Sequence, residues 1–204
     1  MPHHQQSGSP SQPRVVLWWI PVGAGSAISP HTSRAWERID AFIHRRPAQQ
    51  LVHAALEITT ATGEVTVIEM APVWQMPRHT PRGVVAQGPV GASGLGRWRA
   101  FRYEVRCWRG GSIPDTQWAV SSVPVTCPDP AGLERLTHEV AQVPRHVWGR
   151  HTHGVADMWN SNSLIAWLLT TCGVDVGVLG PPAGTRAPGW DVGIVCARMR
   201  HSAS

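Results

Sequence analysis

Trp159-Asn160-Ser161-Asn162-Ser163-Leu164-Ile165-Ala166-Trp167-Leu168-Leu169 is the stretch around which the chain is organised. Leu164, Ile165, Leu168 and Leu169 stand three, four, seven and eight residues beyond Ser161, the spacing that puts them on one helical face with that serine. A hydroxyl in the first turn then points inward. It also lies at the positive end of the helix dipole, where N–H groups without intrahelical acceptors stabilise a developing anion. The same letters read equally as a plain helix start, with Asn160 or Ser161 as the cap of a core helix.

Two upstream strands bear on the choice. Leu51 to Thr59 and Glu64 to Ala71 are short β-branched runs joined by Thr60-Ala61-Thr62-Gly63, the pattern of a hairpin. His53 sits inside the apolar part of the first strand, where a solvated surface histidine is not expected, although a core histidine with one backbone bond fits the position too. Glu69 is a lone ionisable group in the second strand, and carboxylates are seldom buried without a partner. A register centred on Ala61 sets His53 and Glu69 directly across from one another, and a shift of one residue sends Glu69 to the other face. Glu57, two pleats along from His53, is then the substitute. A serine needs a base to remove its proton and a third group to orient the base, and these three residue types supply those parts.

This order, a strand histidine, a polar residue on the next strand and later a nucleophile at the start of a core helix, resembles the circularly permuted papain-like hydrolases. That group includes the permuted NlpC-type amidases, the PPPDE peptidases and the lecithin retinol acyltransferase-like enzymes. Asn160-Ser161-Asn162-Ser163 is similar to the Asn-Cys-Asn-Ser/Thr/His element of the PPPDE type, with Ser161 where that element has cysteine. In layout the resemblance covers residues 50 to 172, and in letters two short segments. It implies an α+β fold in which an antiparallel sheet packs against a core helix. It further implies an amide- or ester-cleaving activity with Ser161 as nucleophile, His53 as general base and Glu69 as orienting group. Asn160 and Asn162 would support the site, and the N–H groups of Ser161 and Asn162 would hold the oxyanion. The serine departs from the family pattern: a thiol is partly ionised near neutrality, whereas serine depends wholly on its base. A non-catalytic binding module on the same fold therefore stands as the alternative.

The remaining sequence supplies context. Residues 1 to 13 are polar and proline-rich and read as a disordered tail, leaving 14 to 200 as one domain. Arg14 to Val22 reads as a buried strand; its weakly charged start and internal proline make a secretory signal the lesser reading. A helix is expected from Ser33 to Arg46, with Trp36, Ile39 and Ile43 inward, and another from Asp129 to Pro144, with Leu133, Leu136 and Val140 inward. Residues 72 to 96, rich in Pro and Gly, read as a surface loop, since their glycines match no phosphate-binding fingerprint. Phe101, Tyr103, Val105 and Cys107 alternate with Arg102, Glu104 and Arg106, predicting a half-buried strand with a solvated charged face. Ile194 to Ala197 is expected as a last strand.

All 18 basic residues are arginine, scattered without a recognition motif, so no nucleic-acid partner is expected. Cys107, Cys127, Cys172 and Cys196 form no C-x-x-C pair and suit reduced thiols in the cytoplasm. No run reaches the roughly 18 apolar residues of a membrane span. His146, His151 and His153, near Asp157, include no pair of histidines at the i, i+4 spacing of a zinc-protease motif, so no metal and no cofactor is expected. Arg186, which can take a carboxylate bidentately or pair with Asp191 in its loop, and Trp159 beside the serine are the candidates for substrate contact. The expected substrate is a small molecule, a lipid or a peptide. Sequence alone leaves the oligomeric state open.

Overall fold

The computed structural model describes residues 12–24, 37, 45–73, 83–113, 115–129, 131–152 and 154–202. Seven strands and three α-helices lie among them: β1 Arg14–Pro21, β2 Gln50–Thr59, β3 Val65–Pro72, β4 Val84–Pro89, β5 Arg102–Arg109, β6 Ser121–Val125, α1 Gly132–Glu139, α2 Ser161–Thr171, β7 Thr185–Arg186 and α3 Trp190–Ser202. The strands order as β4-β5-β3-β2-β1-β6, antiparallel throughout, and β7 adds two residues parallel to the start of β2. The fold is α+β, with the sheet packed against a core helix.

The apolar run 164–169 dictates how α2 sits. Every residue from Ser161 to Leu169 is buried, so the helix is apolar all round rather than on one face, as a helix enclosed on every side must be. The sheet face carrying Leu17, Trp19, Val52, Ala54, Leu56, Ile68 and Met70 shares one apolar core with Leu164, Ile165 and Leu168, and α3 covers the other side. Helices α2 and α3 touch through backbone: a β-carbon at Gly193 would lie 2.2 Å from the Ser163 carbonyl oxygen and 2.8 Å from the Trp167 nitrogen. A smaller cluster, Ile20, Ala55, Val67 and Ile113, occupies the opposite face.

Five expectations change. The hairpin pairs Thr59 with Val65 and Leu56 with Ile68, a register centred on Thr62 rather than Ala61. Glu64 belongs to the turn, since Thr60 N–H bonds its carbonyl at 2.9 Å and Gly63 takes φ 80°. Within 72–96, read as a loop, Val84–Pro89 forms β4, and its Gly88 hides the strand signal because the Tyr103 ring fills the space a β-carbon would need, 2.3 Å away. Ile194 to Ala197 is helical, inside α3; the buried Trp190, Gly193, Cys196 and Ala197 follow a three-to-four spacing that the short Ile194-Val195 pair masks. Phe101 is exposed, because β5 begins only at Arg102. The charged face of β5 is not solvated: Arg106 is 1% exposed and held between Glu69 and Glu104. Of the helix expected at 33–46, all but Glu37, Arg45 and Arg46 lies outside the described residues, as do residues 1–11 of the expected tail.

Gly193→Ala should force the two helices apart and lower the unfolding free energy by about 2 kcal/mol or more, as overpacking does. Gly180→Ala, with open space around it, is the control. Equal urea midpoints for the two variants would contradict this packing.

Candidate functional site

Between residues 52 and 54 the sheet is interrupted. Pairing of β2 with β3 ends at Leu56 and Ile68, β3 continues alongside β5 to Pro72, and β2 meets β7 only at Gln50 and Leu51. The vacated edge of β2 carries the Val52 carbonyl and the Ala54 N–H, which point the same way because they lie two residues apart on a strand. The Asn162 side chain satisfies both. Its Oδ1 accepts from Ala54 N at 2.8 Å and its Nδ2 donates to Val52 O at 3.1 Å and to Pro188 O at 2.9 Å. A carboxamide here stands in for the peptide group of a neighbouring strand.

The rest of the helix start is equally committed. Asn160 is the N-cap: Oδ1 accepts from Asn162 N at 2.8 Å and Ser163 N at 3.4 Å, and Nδ2 donates to Pro188 O at 2.8 Å. Ser163 Oγ closes the capping box by accepting from Asn160 N at 3.1 Å, and donates to Gly189 O at 2.8 Å. Asp157 Oδ2 accepts from Gly189 N, fixing the same turn. Ser161 is the exception among the four: it is buried to 7% exposure, yet its hydroxyl makes no hydrogen bond among the described residues. Its own N–H is likewise uncommitted. Asn162 N–H, expected as a second oxyanion donor, is occupied by the cap.

His53 lies between the two backbone groups that Asn162 grips. It pairs with Ile20 of β1, and strand alternation turns its ring to the face of Ile20 and Ala55, whereas Val52 and Ala54 face the α2 core. The ring is half-buried and makes no hydrogen bond among the described residues, to Ser161 or to any carboxylate. Burial alone pushes its pKa down to about 4, so the imidazole is neutral across the physiological range.

Neither candidate carboxylate orients it. Glu69 accepts from Arg106 Nη1 at 3.3 Å, its direct cross-strand neighbour, and Arg106 also binds Glu104 at 2.7 Å. In the observed register Glu69 falls one step past Ile68, at the level of Ala55 rather than His53. Glu57 shares the face of His53 but stands four residues along, about 13 Å on an extended strand.

The outlying candidates have other roles. Trp159 is fully buried, with the His146 ring packed against it at 4.9 Å, so it offers substrate no surface. Arg186 sits in β7 and its Nη1 donates to Glu37 Oε2 at 3.2 Å; Asp191 belongs to the first turn of α3. Arg46 grips the same Glu37, a carboxylate 2% exposed. Among the described residues no three of His, Cys, Asp and Glu gather as a metal site; His153 lies outside them. No described helix is long and apolar enough to cross a membrane. Sequence reasoning missed Pro188-Gly189 and Asp157 as builders of the helix start; the Pro-Gly pair signals a turn, but not the carbonyls it presents.

No protein-family model matches the chain, and neither does any curated protein or solved structure.

Two outcomes follow from the geometry. Asn162→Leu keeps the volume but leaves the Val52 carbonyl and Ala54 N–H unmet, so the unfolding free energy should drop by about 3 kcal/mol and exchange of the Ala54 amide should accelerate; an Ala54 amide as protected as in wild type would refute the clip. His53 is neutral when folded and has its ordinary pKa of 6.5 when unfolded, so the unfolded chain binds the extra proton between these values. Its contribution is complete above pH 6.5 and lost as pH falls toward 4, by about 3 kcal/mol over that interval. Subtracting the His53→Gln stability profile from that of wild type should isolate this slope, and a flat difference would exclude it.

Proposed function

We propose that the protein is a serine-dependent hydrolase or acyltransferase of the permuted papain-like kind, cleaving an amide or ester of a small molecule, lipid or peptide. One observation carries this reading: of Asn160-Ser161-Asn162-Ser163, three side chains are spent on fixing the helix start against β2 at the level of His53, and Ser161 alone keeps an unengaged hydroxyl. In the reaction, Ser161 Oγ bonds to the substrate carbonyl carbon as its proton passes to the His53 imidazole. The oxyanion takes the free Ser161 N–H at the positive end of α2. Collapse breaks the bond to the leaving group, which takes the proton from His53; water or an acceptor hydroxyl then releases the acyl group by the same steps in reverse. The imidazole is held neutral, the form able to accept a proton, and its ring lies on the sheet face of Ile20 and Ala55. The four cysteines are free thiols, which fits a reducing compartment, and we assign the chain to the cytoplasm on that ground.

The pairing of Glu69 with Arg106 favours a second reading. Without a carboxylate to orient it, His53 is a weaker base, and a domain that has given up catalysis while keeping its scaffold for binding accounts for this and for serine at the cysteine position.

A fluorophosphonate probe should label wild type at Ser161, with labelling abolished in Ser161→Ala and reduced at least 100-fold in His53→Ala. Labelling rate should hold level from pH 8 down to 5 and fall as His53 gains its proton near pH 4. Folded wild type that resists the probe at every pH would overturn the serine mechanism and favour the binding module.

A further inference from the structure

The connection from β4 to β5 leaves the sheet as a lobe of two short 3-10 turns, Ser93–Arg97 and Arg99–Phe101. Its tip reads Arg97-Trp98-Arg99-Ala100-Phe101-Arg102 and turns large apolar side chains to solvent: Trp98 is 48% exposed and Phe101 42%. The two rings meet edge to face, centroids 6.4 Å apart, and the Arg97 guanidinium stacks on Trp98 at 4.0 Å. Neither ring belongs to the apolar core. From Val90 to Arg102 the lobe carries three arginines, Arg97, Arg99 and Arg102, and neither aspartate nor glutamate. Arg150 joins the lobe from another segment, its Nε donating to the Gly91 carbonyl.

We infer that this lobe docks the protein on an anionic lipid bilayer surface, with Trp98 and Phe101 entering the headgroup region and Arg97, Arg99, Arg102 and Arg150 meeting lipid phosphates. Aromatic rings with an apolar body favour the interface between water and hydrocarbon, and arginines beside them add attraction to an acidic leaflet. A single-stranded nucleic acid would need open aromatic faces in a groove. Here a face of the Trp98 ring is already covered by Arg97. The lobe is tied to the helix start by backbone: Gly91 N bonds Trp148 O, Gly149 N bonds Trp159 O and Trp159 N bonds Arg150 O. The proposal does not depend on catalysis, and Ser161→Ala should bind as wild type does.

The test is co-flotation of the full chain with vesicles of phosphatidylcholine alone or with about 30% phosphatidylserine, at low and at physiological salt, folding of each variant being checked by circular dichroism. Expected are binding only to the acidic vesicles, weakened by salt, a loss of at least 10-fold in Arg97→Gln/Arg99→Gln, and a comparable loss in Trp98→Ala/Phe101→Ala. Absence of flotation at low salt, or flotation unchanged in both double variants, overturns the proposal. So does a gel-shift with oligothymidylate that the same variants abolish without vesicle binding, or a dimer in sedimentation velocity that they dissociate, which would give the lobe to nucleic acid or to a second copy.

Discussion

One side-chain amide holds two parts of the molecule in register. Strand β2 loses its neighbour where β3 swings away toward β5, and an open strand edge inside a fold is costly unless its N–H and C=O groups are met. Asn162 meets them from the tip of a helix, so sheet and core helix are joined by directed bonds as well as by apolar contact. Because the amide has one acceptor and one donor end, it fixes both the height of α2 along β2 and the roll of the helix about its axis. Burial of Leu164, Ile165 and Leu168 supplies the stabilisation but tolerates sliding; the amide does not.

From this constraint the surroundings follow. A helix start held to ångström tolerance needs a second support, which the turn at Pro188 and Gly189 provides, receiving Asn160, Asn162 and Ser163 on two adjacent carbonyls. That turn is in turn held by Asp157 and leads directly into α3, whose Gly193 allows the close approach to α2. Ser161 thus sits in a rigid frame of which it is no structural member. Frames of this kind are what catalytic geometry requires.

Periodicity made the main elements legible: the helix at 161–171, the strands bearing His53 and Glu69 and the hairpin between them, each set by local apolar spacing. What local spacing does not encode went astray. The register depended on whether Glu64 counts as turn or strand, a difference decided by the left-handed Gly63. The charged alternation of β5 pointed to solvent, yet the Arg106 guanidinium is buried because two carboxylates meet it, and only knowledge of which strands adjoin brings Glu69, Glu104 and Arg106 together. Strand β4 was hidden by Gly88, whose role is to admit a tyrosine ring from the strand beside it. Asn160, Asn162 and Ser163 were visible as a motif, but their division of labour around Ser161 needed the carbonyls they face.

The contact at Gly193 bears on which partner can move. With no side chain between the two helix backbones, and with the first turn of α2 tied to β2 and to the 188–189 turn, helices α2 and α3 shift only as one block, and any such shift would break several buried hydrogen bonds at once. His53 has no comparable tether: its ring is held by packing alone. Mobility at this level of β2 therefore resides in the His53 side chain, on the sheet face away from α2, while Ser161 and its helix stay fixed.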